Sequence, residues 1–480
     1  MALVAGAAFG PSATRVEVRD SHDGALVATG SARHHELGPA LEDPTAWWRS
    51  LTTAMSRTGE REIAAVSVCG AHPGLVLLDG AGAVLPVPRP WDDDEAAVDA
   101  ARLGGALGPS RWATRAGALP GPATAVSRLA WLRRVHPDTF GQIGAVLLPH
   151  DWLTYRLAGR VVTDRGSASL TGAWSPAAEG WLAEVLELVA PGTPSAWWQD
   201  RLPVVLAPEA RADWLDAPVY ELLGLRGRPL VAPGTGEAMA VALALGLTPG
   251  RIALSLAEST TVLAGIERPV ADPSGVVRSR ADAAGGHLAL ATAPGGATLI
   301  QVVEDLLGVA PGELGALAGE AASDSGGLVL IPGLDGRRGA VLTGLAVGVG
   351  RPDIARAAFE GVACAALDAL DRVLELGGRW DDGEPLRVAA PPQHLGVVSQ
   401  VLADLADAPV QPAPTASLAA AGACIQAAAV LQGVSPHEVA ARWDLGAQAW
   451  VHPVDPGRSV RRGLHREEHA RQRQALPRSV

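Results

Sequence analysis

Short apolar runs at Leu3–Phe9 and 14–18 flank a Gly10-Pro11-Ser12 turn, and the same strand, polar turn, strand arrangement returns at 251–256 and 261–266 around Ala257-Glu258-Ser259-Thr260. Hairpins of this kind read as one unit used twice. Between and after them, helical patterns at 44–55, Ala125–Val135 and 149–157 alternate with strand-like runs at 63–68, 75–78 and 144–148. Later runs at 287–292, 328–332 and 386–390 alternate with Ala-rich helices at 354–376 and 418–431. Alternation argues α/β layers. A break near 246–251 divides the chain into similar halves, 1–246 and 247–480, so the expectation is two α/β lobes with an interlobe cleft for a small molecule.

Composition narrows the chemistry. All 39 basic residues of the 480 are Arg, with no Lys and no Asn. A Schiff-base enzyme and a phosphate-loop lysine are therefore excluded, as is N-glycosylation. A net charge of -12 argues against a nucleic-acid partner, and the Arg-rich stretch after Val454, broken by Glu467 and Glu468, reads as a solvated terminal helix. Cys69, Cys364 and Cys424 are far apart, without metal-ligand or disulfide spacing, which points to reducing cytoplasm. The longest apolar stretch is interrupted by Gln426, so no membrane span is expected.

An ordered run, Leu148-Pro149-His150-Asp151-Trp152-Leu153, then Leu157-Ala158-Gly159, Thr163-Asp164 and Ser167-Ala168-Ser169-Leu170-Thr171, resembles the FGGY carbohydrate kinases, most closely their xylulokinase branch. Asp43-Pro44 with Trp47-Trp48, Arg128 and Trp131 before His136-Pro137, Pro90-Trp91-Asp92-Asp93, and Phe359-Glu360-Gly361 follow in family order. The resemblance implies the duplicated actin-like ATPase (ribonuclease H-like) fold. It also implies ATP- and Mg²⁺-dependent phosphorylation of a sugar or polyol such as a pentulose, with the sugar site in the N-terminal lobe and the nucleotide site in the C-terminal lobe. A homodimer is left open.

Carried over residue by residue, the family's catalytic base falls on Glu237, in Pro233-Gly234-Thr235-Gly236-Glu237-Ala238, where the family has Asp. The longer side chain displaces the carboxylate by roughly 1 Å, a shift that in an active site costs about 10²-fold. The sugar-contacting strand end falls on His72 and Pro73, and the sugar-lining segment on Trp91, Asp92 and Asp93. For these residues an ordinary strand end and an exposed acidic loop are equal alternatives. Asp151 and Asp164 read as helix-start and turn residues, and the Trp pairs as core.

The phosphate-facing turns depart from the family pattern. Gly10, Ser12 and Arg15 remain at the first, but Ala8 replaces its metal-holding Asp and Pro11 removes an N–H. At the second, Ser259 and Thr260 could donate hydrogen bonds, while Glu258 brings like charge toward the phosphates. The adenosine-side Gly-Gly-Gly turn is Ala390-Pro391-Pro392. ATP and Mg²⁺ are thus expected from the family, and no metal ligand is assigned. Two functions stay open: a working sugar kinase, and a degenerate pseudokinase that binds a sugar in a regulatory role.

Overall fold

The computed structural model describes residues 2–10, 12–34, 43–70, 74–86, 93–321, 325–333, 340–413, 417–445, 449–454 and 459–475, with the side chains of 93, 94, 459 and 472–475 excepted. The chain forms two compact units. One comprises Met1–Gly246, Glu267–Leu288 and Ser417–Leu445, and the other Leu247–Ile266, Ala289–Ala416 and Gly446–Val480.

The first unit is built on a seven-stranded sheet. Strands β1 (Leu3–Phe9), β2 (Ala13–Asp20) and β3 (Leu26–Arg33) form an antiparallel meander. Strand β4 (Ile63–Gly70) lies parallel to β1, and Leu230–Val231 and Thr235–Gly236 both run parallel to β4. β1 and β4 are buried on both faces, which is why they read as continuous apolar runs. One face carries the helix Pro44–Arg57 and its tryptophans. Trp47 is 2% exposed, with its ring 5.1 Å from Phe9 and 6.2 Å from Trp152, so this pair is core.

Across β1 and β4 lies the helix Leu418–Gln432, contributed from far downstream of Gly246 and buried along nearly its whole length. Its small residues allow that depth. A Cβ on Gly422 would collide with the Ala240 carbonyl of the helix Glu237–Ala244, so only glycine lets the two backbones meet there. Among the described residues no single helix is long and apolar enough to cross a membrane.

In the second unit the strand path is residues 289–293, then Thr260–Ile266, Ile252–Leu256, Leu386–Ala389, Val410–Pro412. Its main helix, Arg351–Glu375, starts with Pro352 and an Asp353 that accepts the Gly350 N–H at 2.8 Å. The terminal segment is helical over Ser459–Ala475 but is docked rather than solvated. Arg461 reaches buried Glu360 at 2.8 Å, Arg462 reaches Asp371 at 2.7 Å, and His465 bonds the Leu330 carbonyl at 2.6 Å. Arg461, Arg462, Arg466 and Arg471 have carboxylate partners, which charge alone could not reveal. Cys69, Cys364 and Cys424 are free and buried.

Candidate active site

Strand register brings the separate motifs of the first unit to one edge. Ala8 pairs with Cys69 and Phe9 with Gly70, while Thr235 and Gly236 pair with Cys69 and Gly70 from the other side. The C-terminal ends of three parallel strands therefore lie side by side, where open α/β sheets place their ligands. Glu237 follows Gly236 directly and is exposed at the first turn of the helix Glu237–Ala244, where the helix dipole favours a carboxylate. Its charge acts on Cys69, whose thiol is pushed well above its ordinary value first by burial and then by Glu237 and Cys424.

Beneath Glu237 is a buried polar network that sequence reasoning did not assemble. Asp164 caps the helix Arg165–Leu170, accepting the Gly166 and Ser167 amides at 3.1 and 3.0 Å, and also accepts the Thr235 hydroxyl at 2.7 Å. His150 Nε2 is 3.0 Å from Ser167 Oγ, 3.0 Å from Asp151 Oδ1 and 4.0 Å from Asp164 Oδ1. The Asp151 contact is electrostatic, since that oxygen has no aligned donor. Its other oxygen accepts the Leu148 amide at 2.9 Å, the helix-start role expected of it.

Burial alone would depress His150, and the carboxylates of Asp151 and Asp164 outweigh it, holding the imidazole above its ordinary value. Burial lifts Asp164 above the usual carboxylate range, partly offset by His150 and by bonds from Ser167 and Thr235. Gln426 completes the set, donating to the Gly234 carbonyl at 2.9 Å and accepting the Ser67 hydroxyl at 2.6 Å. The clue available in sequence was the Gly-Thr-Gly before Glu237 together with the His-Asp pair of the best-matched run.

The phosphate-facing candidates are placed less favourably. Gly10 spends its amide on Ala13 O at 3.1 Å, leaving Ser12 and Arg15 exposed on the first hairpin; Pro11 lies outside the described residues. Ala8 packs beside an apolar cluster of Cys69, Ala240, Ala419 and Ala423. In the second hairpin Thr260 is fully buried and its amide bonds Gly295 O at 2.8 Å, while the Ala257 amide bonds Ser259 O at 3.1 Å. Ser259 and Glu258 remain exposed. Pro391 and Pro392 start the helix Pro392–Ala406, with the Pro391 carbonyl accepting the His394 amide at 2.9 Å. His72, Pro73, Trp91 and Asp92 lie outside the described residues, as does the side chain of Asp93, which opens a 3₁₀ turn at Asp93–Ala96. Among the described residues, no group of three His, Cys, Asp or Glu is arranged to hold a metal ion.

Comparison with known proteins bears on this edge. The FGGY family of carbohydrate kinases, N-terminal domain, matches residues 4–244. The chain is 36% identical over 466 residues to a xylulose kinase of Streptomyces rubiginosus, covering 94% of this chain and 93% of that protein. It is likewise 36% identical over 460 residues to a xylulose kinase of Streptomyces coelicolor, covering 93% and 91%. A solved xylulose kinase from Bifidobacterium adolescentis superposes with TM-score 0.81 at 27% identity, covering 97% of this chain and 99% of that one. A Plasmodium falciparum glycerol kinase solved with ADP superposes at 0.82 with 14% identity, covering 100% and 99%, which speaks for the fold alone. The fold is thus the two-lobed α/β architecture of the actin-like ATPase sugar kinases.

Proposed function

Because the chain belongs to the FGGY family of carbohydrate kinases, xylulokinase-like by its relatives, we propose that it transfers a phosphoryl group from ATP to a pentulose hydroxyl, with Glu237 as the base. The observation that carries this reading is an exposed carboxylate at the C-terminal sheet edge, on a turn fixed from below by buried hydrogen bonds. Glu237 takes the hydroxyl proton as the sugar oxygen bonds to phosphorus and the bond to the departing ADP oxygen breaks. The pentulose is taken from the names of the relatives. Three unpaired thiols support a cytoplasmic location.

Kinases of this family use ATP with Mg²⁺. The residues present do not fit the metal: Ala8, at the position of the family's metal-holding carboxylate, offers a methyl group against an apolar cluster. For the nucleotide, Ser12 and Arg15 are the exposed polar groups of the first hairpin and Ser259 that of the second, where Glu258 carries the same sign of charge as the phosphates. Each lost contact costs about 1–3 kcal/mol, so ATP binding is weak and little affected by Mg²⁺. The surroundings of Ala8 favour a second reading as well, a sugar-binding family member without turnover.

The test is an ADP-release assay over ketoses, aldoses and polyols, paired with calorimetric titration of ATP with and without Mg²⁺. Xylulose-dependent ADP release well below the ~1 per second that marks ordinary kinases is expected. Sugar binding without ADP release would give the second reading, and an absence of both would remove the pentulose assignment.

A further inference from the structure

Glu237 is carried by a turn held in two ways: Thr235 and Gly236 pair with β4, and side chains from elsewhere in the first unit hold Gly234 and Thr235. Thr235, two residues before the carboxylate, is fully buried and gives its hydroxyl to Asp164 at 2.7 Å. Asp164 has little freedom, since two amides of the helix Arg165–Leu170 fix both its oxygens. Gly234 has φ +80 and no room above it: a Cβ would meet Val68 O at 2.7 Å, Thr154 Oγ1 at 3.0 Å and the His150 ring at 3.1 Å. On the opposite side Gln426, also fully buried, holds the Gly234 carbonyl.

Burying two carboxylates, an imidazole and an amide under one turn costs stability that apolar residues of similar volume would not. What such a network provides is a defined geometry, because every partner accepts one arrangement and not its neighbours. The group above it that needs a defined geometry is Glu237, whose extra methylene relative to Asp gives it an additional torsion to fix.

We propose that Asp164 is a positioning residue for phosphoryl transfer, holding the turn that carries Glu237 through the Thr235 hydroxyl. This rests on the reading of Glu237 as the base. Asp164 is buried, with its oxygens taken up by the Gly166 and Ser167 amides and the Thr235 hydroxyl, and it acts through the two-residue link from Thr235 to Glu237. A helix cap alone would leave its bond to Thr235 without consequence for turnover.

The test uses the full chain with Thr235→Val, which keeps the shape and removes the hydroxyl, and Thr235→Ser, which keeps the hydroxyl. Each is measured for kcat and KM toward xylulose, for thermal midpoint, and for amide hydrogen exchange over 233–238. The valine variant is expected to lose kcat by on the order of 10-fold or more with KM within about 3-fold, and to exchange faster over 233–238. The serine variant is expected to stay near the parent in all readouts. A valine variant with parental kcat and parental exchange overturns the proposal. So does a loss of kcat that serine does not rescue. If the parent has no turnover on any ketose, the base reading fails and the role in phosphoryl transfer fails with it; exchange then decides only whether the Asp164–Thr235 bond holds the turn, faster exchange in the valine variant upholding that hold and unchanged exchange overturning it.

Discussion

Glu237 and its neighbours make residue-scale expectations specific. In Glu237→Gln the amide still hydrogen-bonds a sugar hydroxyl but takes no proton, so turnover should fall by about 10²-fold or more while sugar affinity measured by calorimetry stays within a few-fold. Equal losses in both would remove Glu237 from the role of base. His150 gives a pH signature. With its folded value raised above 6.5, the native state holds the proton more tightly than the unfolded chain. The stability it contributes is complete below that value and drains away as pH rises through the folded one. Asp164, raised from 3.8, pulls in the same direction. The parent should therefore lose more thermal stability between about pH 6 and pH 8 than His150→Gln does, and parallel curves would contradict a charged His150. Ala8 is legible as a missing metal ligand from sequence alone, but its packing beside Cys69, Ala240, Ala419 and Ala423 is visible only once β1, β4 and the downstream helices are assembled.

At the scale of elements, periodicity located the parts and left their partners undetermined. The run 418–431 reads as an Ala-rich helix from its composition, and the helix spans Leu418–Gln432. What composition does not say is that it lies on β1 and β4, because no local pattern records which sheet face a helix buried on all sides will cover. The same limit hid the network under Glu237, whose members come from five segments between Ser67 and Gln426. Asp151 and Asp164 were readable as helix-start residues because that role is local, spanning two or three positions. The tight helix crossing is testable: Gly422→Ala forces a methyl group into the Ala240 carbonyl and should cost about 1–3 kcal/mol in chemical denaturation. A neutral effect would mean that the two helices separate easily.

On the scale of the whole molecule, the three thiols form a ready-made set of unfolding probes. Cys69 and Cys424 belong to the first unit and Cys364 to the second. Burial raises all three thiols, with Cys364 pushed up to about 12. Little thiolate exists at neutral pH, so labelling requires opening of the unit that contains each residue. Under rising denaturant, mass-resolved labelling should show Cys69 and Cys424 reacting together, with Cys364 following its own unit. Separate onsets for Cys69 and Cys424 would show that the helix Leu418–Gln432 detaches before its sheet unfolds.

That helix also imposes an order on biosynthesis. A ribosome delivers the chain from its N-terminus, and residues 1–246 emerge with β1 to β4 complete yet with the face that Ala420, Gly422 and Cys424 will cover still bare. Gln426, one of the side chains that pin the turn before Glu237, arrives in the same late segment. The nascent protein must carry an apolar sheet face through the synthesis of most of the second unit, and its candidate base is set in place only once residue 426 has been made. A premature stop between residues 246 and 417 would therefore cripple the first unit, although every strand of its sheet had already been made.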